Sequence, residues 1–384
     1  MQRIGEGARD GVEAREPALR LFLCGDVMTG RGIDQILSHP SAPQLFEPYV
    51  SSAKDYVKLA ERATGKLPYP ASYVYPWGDA LAVLAQHQPH ARIVNLETAV
   101  TASDAHWPGK SVHYRMHPAN LACLTEAAID CCVLANNHVL DWGHAGLKET
   151  LRSLHDAGIR TAGAGRNAAE AAAPAIIDTD RQGRIVVYAY AGETAGVPEA
   201  WAADARHDGV NFLRDLSTKS ANAIAHHVAQ NRQAGDVVVI SLHWGSNWGF
   251  DVSRCERAFA HRLLDAEAAE VIHGHSSHHI RGIEIYRGKP VLYGCGDFLN
   301  DYEGISGNES YRPDLTLMYF PVVNPASGAL VELTAVPMEI RHMRVGRAPD
   351  EGTSWLHATL ARESARYGVK VERDANTNTF TLQW

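Results

Sequence analysis

The chain has 384 residues, 45% hydrophobic and 21% charged, a size that admits one large or two ordinary domains with a substantial core. Its 44 acidic and 36 basic residues leave a formal charge of −8 with no block of Lys or Arg, so nucleic acid and anionic membrane are poor partner expectations. Twenty histidines are the compositional outlier and raise the question of a metal.

Residues 1–18 mix both charge signs with Gly and hold no apolar stretch, so they read as a flexible segment and not as a signal peptide. No window reaches the roughly 18 apolar residues of a membrane span, so no stable membrane insertion and a cytoplasmic location are expected. The six cysteines show no CxxC spacing and mostly sit inside apolar runs, which agrees with a reducing compartment.

The first strand reads as "LRLFLCGD" (19–26). Residues 39–80, rich in Pro, Tyr and Ser around "SSAKDYVKLAERATG", read as a lid insertion over the first crossover. Further strand-length runs follow: "ARIVNLE" (91–97), "AIDCCVLANNH" (128–138), "RIVVYAYA" (184–191), "DVVVISLHWG" (236–245), "EVIHGH" (270–275) and "KPVLYGCGD" (289–297). Several are continuous rather than alternating, as strands buried on both faces are. Between them, 145–158 spaces Leu147, Leu151 and Leu154 as a helix and stops at Gly158, and 253–268 sets Phe259, Leu263 and Leu264 on one face. Strands alternating with helices predict an α/β fold. After residue 310 the strands are close-set, which suggests antiparallel pieces joined to the sheet, with a late helix over 354–368. The reading is one domain over 19–345, with 346–384 as a C-terminal helix and strand packed on it.

Sites in α/β sheets form where strands end. Here the ends read "GD" (Gly25-Asp26), "NLE" (Asn95 to Glu97), "NNH" (Asn136 to His138), "HWG" (His243 to Gly245) and "HGHSSHH" (His273 to His279). Carboxylate, amide oxygen and imidazole form a ligand set for Mn, Fe or Zn, and one or two such divalent ions are the expected cofactor. Each piece alone has a plainer reading. Asp26 is a helix cap, Glu97 a solvated strand end, "NNH" turn chemistry and His243 a satisfied core histidine. Four imidazoles in seven residues after "EVI" are harder to explain as packing.

In order and spacing, these motifs together with "LANNHVLDWGHAGLKETLRSLHDAGIRTAGAGRNAAEAAAP" (134–174) and "GIEIYRGKPVLYGCGDF" resemble the CapA family of poly-γ-glutamate capsule biosynthesis proteins, relatives of the calcineurin-like metallophosphoesterases. The resemblance covers about residues 19–300. It implies a four-layer αββα sandwich with mixed sheets and a dinuclear site at the strand ends. By position it implies Asp26 on a first metal, Glu97 as bridge, Asn137 and His243 on a second, and histidines of 273–278 completing both. It implies His138 as a catalytic histidine that binds no metal, with Asp141 to orient it. Three departures stand out. Met28 occupies a position where the pattern has His. The last motif is either His273 with His275 or His275 with His278, and the first pair is favoured because it brackets one residue at a strand end. Asp297 stands where relatives commonly show Asn, adding an acid/base group.

Three functions fit. One is a metal-dependent hydrolase of a phosphoester or a γ-glutamyl or peptide substrate, with His138 as proton donor. Another is a peptide epimerase, with His138 and Asp297 or His278 exchanging a Cα proton. The third is a non-catalytic accessory that binds polyglutamate or a synthase. Expected partners are therefore a small-molecule, peptide or polyglutamate substrate. Arg31 is a candidate for pairing with phosphate or carboxylate, against a surface reading. Trp142, Trp244 and Trp248 are expected at the cleft mouth as a stacking wall, against plain packing under loops.

Overall fold

The structure, a computed structural model, describes residues 18–179 and 183–384. All of the segment read as flexible except Ala18 lies outside the described residues. Two mixed sheets pack face to face. The larger has ten strands and is centred on Leu19–Val27, which runs parallel to Ala91–Leu96 and to Asp297–Leu299 and antiparallel to Leu315–Val323. In the smaller, of seven strands, Val237–His243 lies parallel between Gly183–Gly192 and Val271–His275.

Alternation along each strand explains the layering. In the smaller sheet Val237, Val239 and Val271 join the core shared with the larger sheet. Val238, Ile240 and Ile272 turn the other way, onto the Thr218–Asn231 and Arg254–Asp265 helices. Both faces of these strands are thus buried, which is why their sequences are continuously apolar. On the outer face of the larger sheet, Phe22 packs on Phe298 and Phe320, and Phe320 stacks on His87 of the Ala80–His87 helix. The order is helix, sheet, sheet, helix, the α/β sandwich that the resemblance implied.

The C-terminal segment contributes more than one strand. After the Asp350–Ala365 helix, which touches both sheets, Lys370–Arg373 and Phe380–Gln383 extend the larger sheet by pairing onto Leu330–Arg341. The 39–80 stretch is anchored in the main core through Tyr56, Ala60, Leu67 and Trp77. Among the described residues no helix is long and apolar enough to cross a membrane.

Two details of the larger sheet aim the site. Pairing with Ala91–Leu96 runs Leu23 to Ile93 but Asp26 to Asn95, so Leu19–Val27 carries one extra residue. Such a bulge reverses the alternation. Asp26 therefore faces the other sheet, although Phe22 faces out. Next to it, a Cβ on Gly25 would stand 1.8 Å from the Gly296 carbonyl oxygen. Only glycine permits that approach, and the Asp26 amide donates to the same oxygen at 2.9 Å.

Candidate metal centre

The parallel strands of both sheets end at the same edge of the interlayer space. From the larger sheet come Asp26, Asn95 and, just past the strand, Glu97; from the smaller come His243 and His275, directly paired in register. All five are nearly or fully buried. Asp26 accepts from the Asn95 side chain at 2.7 Å and from the Ser276 amide at 3.2 Å. Asn136 continues the scaffold, donating to Asn95 Oδ1 at 3.0 Å and accepting from the His138 amide at 3.0 Å.

Two groups of donor atoms form around Asp26, each with its ligand atoms within 4.8 Å of one another: Asp26, His243 and His275, and Asp26, His278 and Asp297. Glu97 approaches the first group, with Oε1 at 3.9 Å from His243 Nε2. Asn137 Oδ1 faces the same nitrogen at 2.9 Å. His278 reaches Asp297 at 2.8 Å across a turn in which Ser276 adopts φ 101°, a conformation that costs a residue with a side chain energy. Three residues beyond His278, Arg281 is 3% exposed and pairs with Glu256, the residue that completes a capping box with Ser253 at the start of the Arg254–Asp265 helix.

The electrostatics suit a cation. Burial, then the Asp297 charge, pushes the Asp26 carboxyl up to about 7. Burial and the neighbouring Asp26 also raise Glu97 well above the usual carboxylate range. Burial holds His243 and His275 well below the usual imidazole range, so both present lone pairs. Carboxylates crowded against one another out of water, beside neutral imidazoles, form a donor set that a divalent ion would relieve.

Beside this centre lies a second His–Asp pair. His138 Nδ1 sits 2.6 Å from Asp141 Oδ2, and its Nε2 points into the centre, 3.6 Å from Glu97. Lys110 pairs with Asp141 and stands 3.0 Å from His138 Nδ1. Burial lowers His138 to about 4, with Lys110 adding to the shift and Asp141 opposing it.

Not every candidate comes to the centre. His273 belongs to neither group. It is paired with Ser241, one rung deeper than the His243–His275 pair, and its Nε2 is 2.7 Å from the Cys24 carbonyl oxygen. Period-two alternation gives it the right face at the wrong depth, and His278 stands with the donors instead. Trp244 is no cleft wall: it is 1% exposed, donates to the Tyr293 carbonyl and packs on Phe259 and Tyr293. Trp142 is likewise buried. Trp248 lines a large cavity together with His278. Arg31 is already saturated. It binds Asp301 and Glu47 and lies over the Tyr56 and Tyr114 rings. Met28 is fully buried, and its sulfur accepts from the Tyr302 hydroxyl, so it offers the centre nothing. Asp297 supplies a carboxylate to the group that Met28 leaves short. Lys110 was invisible in the sequence, where "WPGK" is an ordinary turn with a lysine.

A two-sheet α/β sandwich with carboxylates and imidazoles gathered at its strand ends defines a protein class built around a candidate cation centre. The particular family follows from comparison: the chain belongs to the bacterial capsule synthesis protein family PGA_cap, whose model matches residues 20–302. A probable polyglutamine synthesis accessory protein of Mycobacterium tuberculosis is 47% identical over 352 residues, covering 91% of this chain and 92% of its own length. The capsule biosynthesis protein CapA of Bacillus anthracis is 24% identical over 288 residues, 74% of this chain and 60% of its own. Among solved structures, a phosphatase of Mycoplasma pneumoniae aligns at 11% identity with a TM-score of 0.44, over 84% of this chain and 94% of its own.

Proposed function

We propose that the chain is a metal-dependent hydrolase that cleaves a γ-glutamyl or peptide amide bond, with Asp26, Glu97, Asn137, His243, His275, His278 and Asp297 holding one or two divalent ions. The observation that carries this reading is the pair of donor groups sharing Asp26. Saturation of Arg31 by Asp301 and Glu47 removes the expected phosphate clamp and favours an amide over a phosphoester.

Bound there, a divalent cation of the Mn, Fe or Zn type supplies the charge that activates water and polarises the scissile carbonyl. The chain's own residues supply the proton traffic. Asp141 accepts from His138 Nδ1, which leaves Nε2 with a lone pair facing the centre. His138 takes a proton from the attacking water at Nε2. It returns that proton to the leaving nitrogen as the C–N bond breaks. Lys110 holds Asp141 and adds to the burial that keeps His138 neutral between turnovers.

A panel of γ-glutamyl dipeptides, α-peptides and phosphoesters assayed with added Mn²⁺, Fe²⁺ and Zn²⁺ tests the reading. Metal-dependent release of a γ-glutamyl or peptide product is expected. Cation binding without turnover of any of them would instead favour an accessory role in polyglutamate synthesis.

A second reading has its own observation: two His–Asp pairs, His138–Asp141 and His278–Asp297, both border the centre. Two acid/base groups are what epimerisation at a peptide Cα requires. Deuterium entering Cα in D₂O without cleavage would establish this reading, and cleavage without labelling would remove it.

A further inference from the structure

A cavity of about 570 Å³ opens beside His278 and is lined also by Trp248, Tyr302, Glu339, Ile340 and Arg341. That volume suits a ligand of one or two amino-acid residues. Its charged lining falls into two sets. Glu303 accepts from the Thr64 hydroxyl and the Met343 amide, Glu309 from the Gly307 amide, and Asp314 from Arg312. These carboxylates are committed. The side chains of Glu339 and Arg341 make no hydrogen bond or ion pair among the described residues, although both line the cavity and the charges of Arg341 and Arg312 act on Glu339. They lie two apart on the Leu330–Arg341 strand, so both side chains leave the same face, roughly 7 Å apart at their Cα atoms.

One free carboxylate and one free guanidinium side by side are complementary to an ammonium and a carboxylate side by side. In a γ-linked chain, the residue at the amino end keeps both its α-ammonium and its α-carboxylate, because the linkage uses the side-chain carboxyl. An α-linked chain keeps only the ammonium there. We propose that this cavity binds the amino-terminal residue of a γ-glutamyl chain, with Glu339 taking the α-ammonium, Arg341 the α-carboxylate, and the Trp248 ring the methylenes between. The proposal rests on the γ-glutamyl reading of the adjoining centre. It adds that the substrate enters by its amino end and that γ-linkage is read by charge at that end, through two specificity-determining residues that sequence reasoning passed over.

The test titrates the full chain, without added metal, with three probes that contain no γ-glutamyl bond: L-glutamate, N-acetyl-L-glutamate, which lacks the ammonium, and L-isoglutamine, which lacks the α-carboxylate. Binding is read by calorimetry or ligand-observed NMR. The wild-type chain binds glutamate about tenfold or more tightly than either analogue, which is about 1.4 kcal/mol at 25 °C. Glu339→Gln abolishes the discrimination against the acetylated probe alone, and Arg341→Gln that against isoglutamine alone. Equal binding of all three by wild type, no binding of glutamate, or equal weakening of all three by either variant overturns the proposal. Asp26→Ala separates it from the hydrolase reading. If metal-dependent turnover is absent from wild type while Asp26→Ala still discriminates among the probes, the subsite stands and the hydrolase fails. If turnover stands while discrimination is absent, the reverse holds.

Discussion

The two histidine–aspartate pairs flanking the centre use the same residue types at nearly the same distance, 2.6 Å for His138–Asp141 and 2.8 Å for His278–Asp297, and both imidazoles are largely buried. Their proton affinities nevertheless move in opposite directions. Burial disfavours charge on both. At His138 it wins, reinforced by Lys110, and the ring falls to about 4. At His278 the attraction of Asp297, joined by Asp26, outweighs burial, and the ring rises above its ordinary value. A ring that prefers a positive charge in its pocket occupies a place where a cation is welcome. A ring kept neutral by burial, with Lys110 adding to it, occupies a place suited to moving a proton. The difference lies in the balance between burial and the surrounding charges, not in the pair.

Several substitutions can break or sharpen this contrast. The largest effect is expected from Asp26→Ala, because both donor groups share that carboxylate. Elemental analysis should then show no bound divalent metal, whereas Asp297→Asn should deplete only the His278 group and leave the His243–His275 group loaded. Next comes Glu256→Gln, which strands the buried Arg281 charge. Urea unfolding should show a loss of about 3–5 kcal/mol, with the His138 side intact in structure. Lys110→Met follows. Metal content should be unchanged, and kcat should fall about ten- to a hundredfold as Asp141 and His138 lose their brace. The sign of its pH effect is fixed. Lys110 depresses His138, so removing it raises the ring's proton affinity, and the acidic limb of the rate profile should move to higher pH. An unmoved limb would take His138 out of the proton-transfer role. The smallest effect is expected from Trp248→Ala, a few-fold rise in KM with kcat little changed, since the ring borders the cavity and packs against His278 but supplies no donor atom to the centre.

Most of the architecture was legible because the strands of the parallel core are apolar on both faces and end in polar donors. The order of those ends along the chain marks Asp26, Glu97, Asn137 and His243 as candidates, and the fold brings these four side chains to one edge of the interlayer space. What was not legible concerns depth and neighbours. His273 and His275 share a face by alternation, but only the cross-strand register reveals that one rung separates them and that His273 is spent on Ser241 and the Cys24 carbonyl. The bulge that turns Asp26 inward leaves no mark in "LFLCGD" beyond a glycine. Trp244 and Trp248 look alike in "HWGSNWG", yet one closes a strand under Tyr293 while the other lies on a loop that has left the sheet. The partners of Arg31 and Lys110 lie far off in sequence or in unremarkable turns, at Asp301, Glu47 and Asp141, so their roles emerged only from packing.

The tight crossing of Gly25 over Gly296 has one more effect. It clamps the main chains that bear Asp26 and Asp297 to each other, which narrows the range of separations open to their carboxylates. A gauge of that kind discriminates by ionic radius. Calcium, whose oxygen bonds run to about 2.3–2.6 Å, should compete poorly against manganese or zinc, and a Gly25→Ala chain that still folded should lose that preference in a competition dialysis.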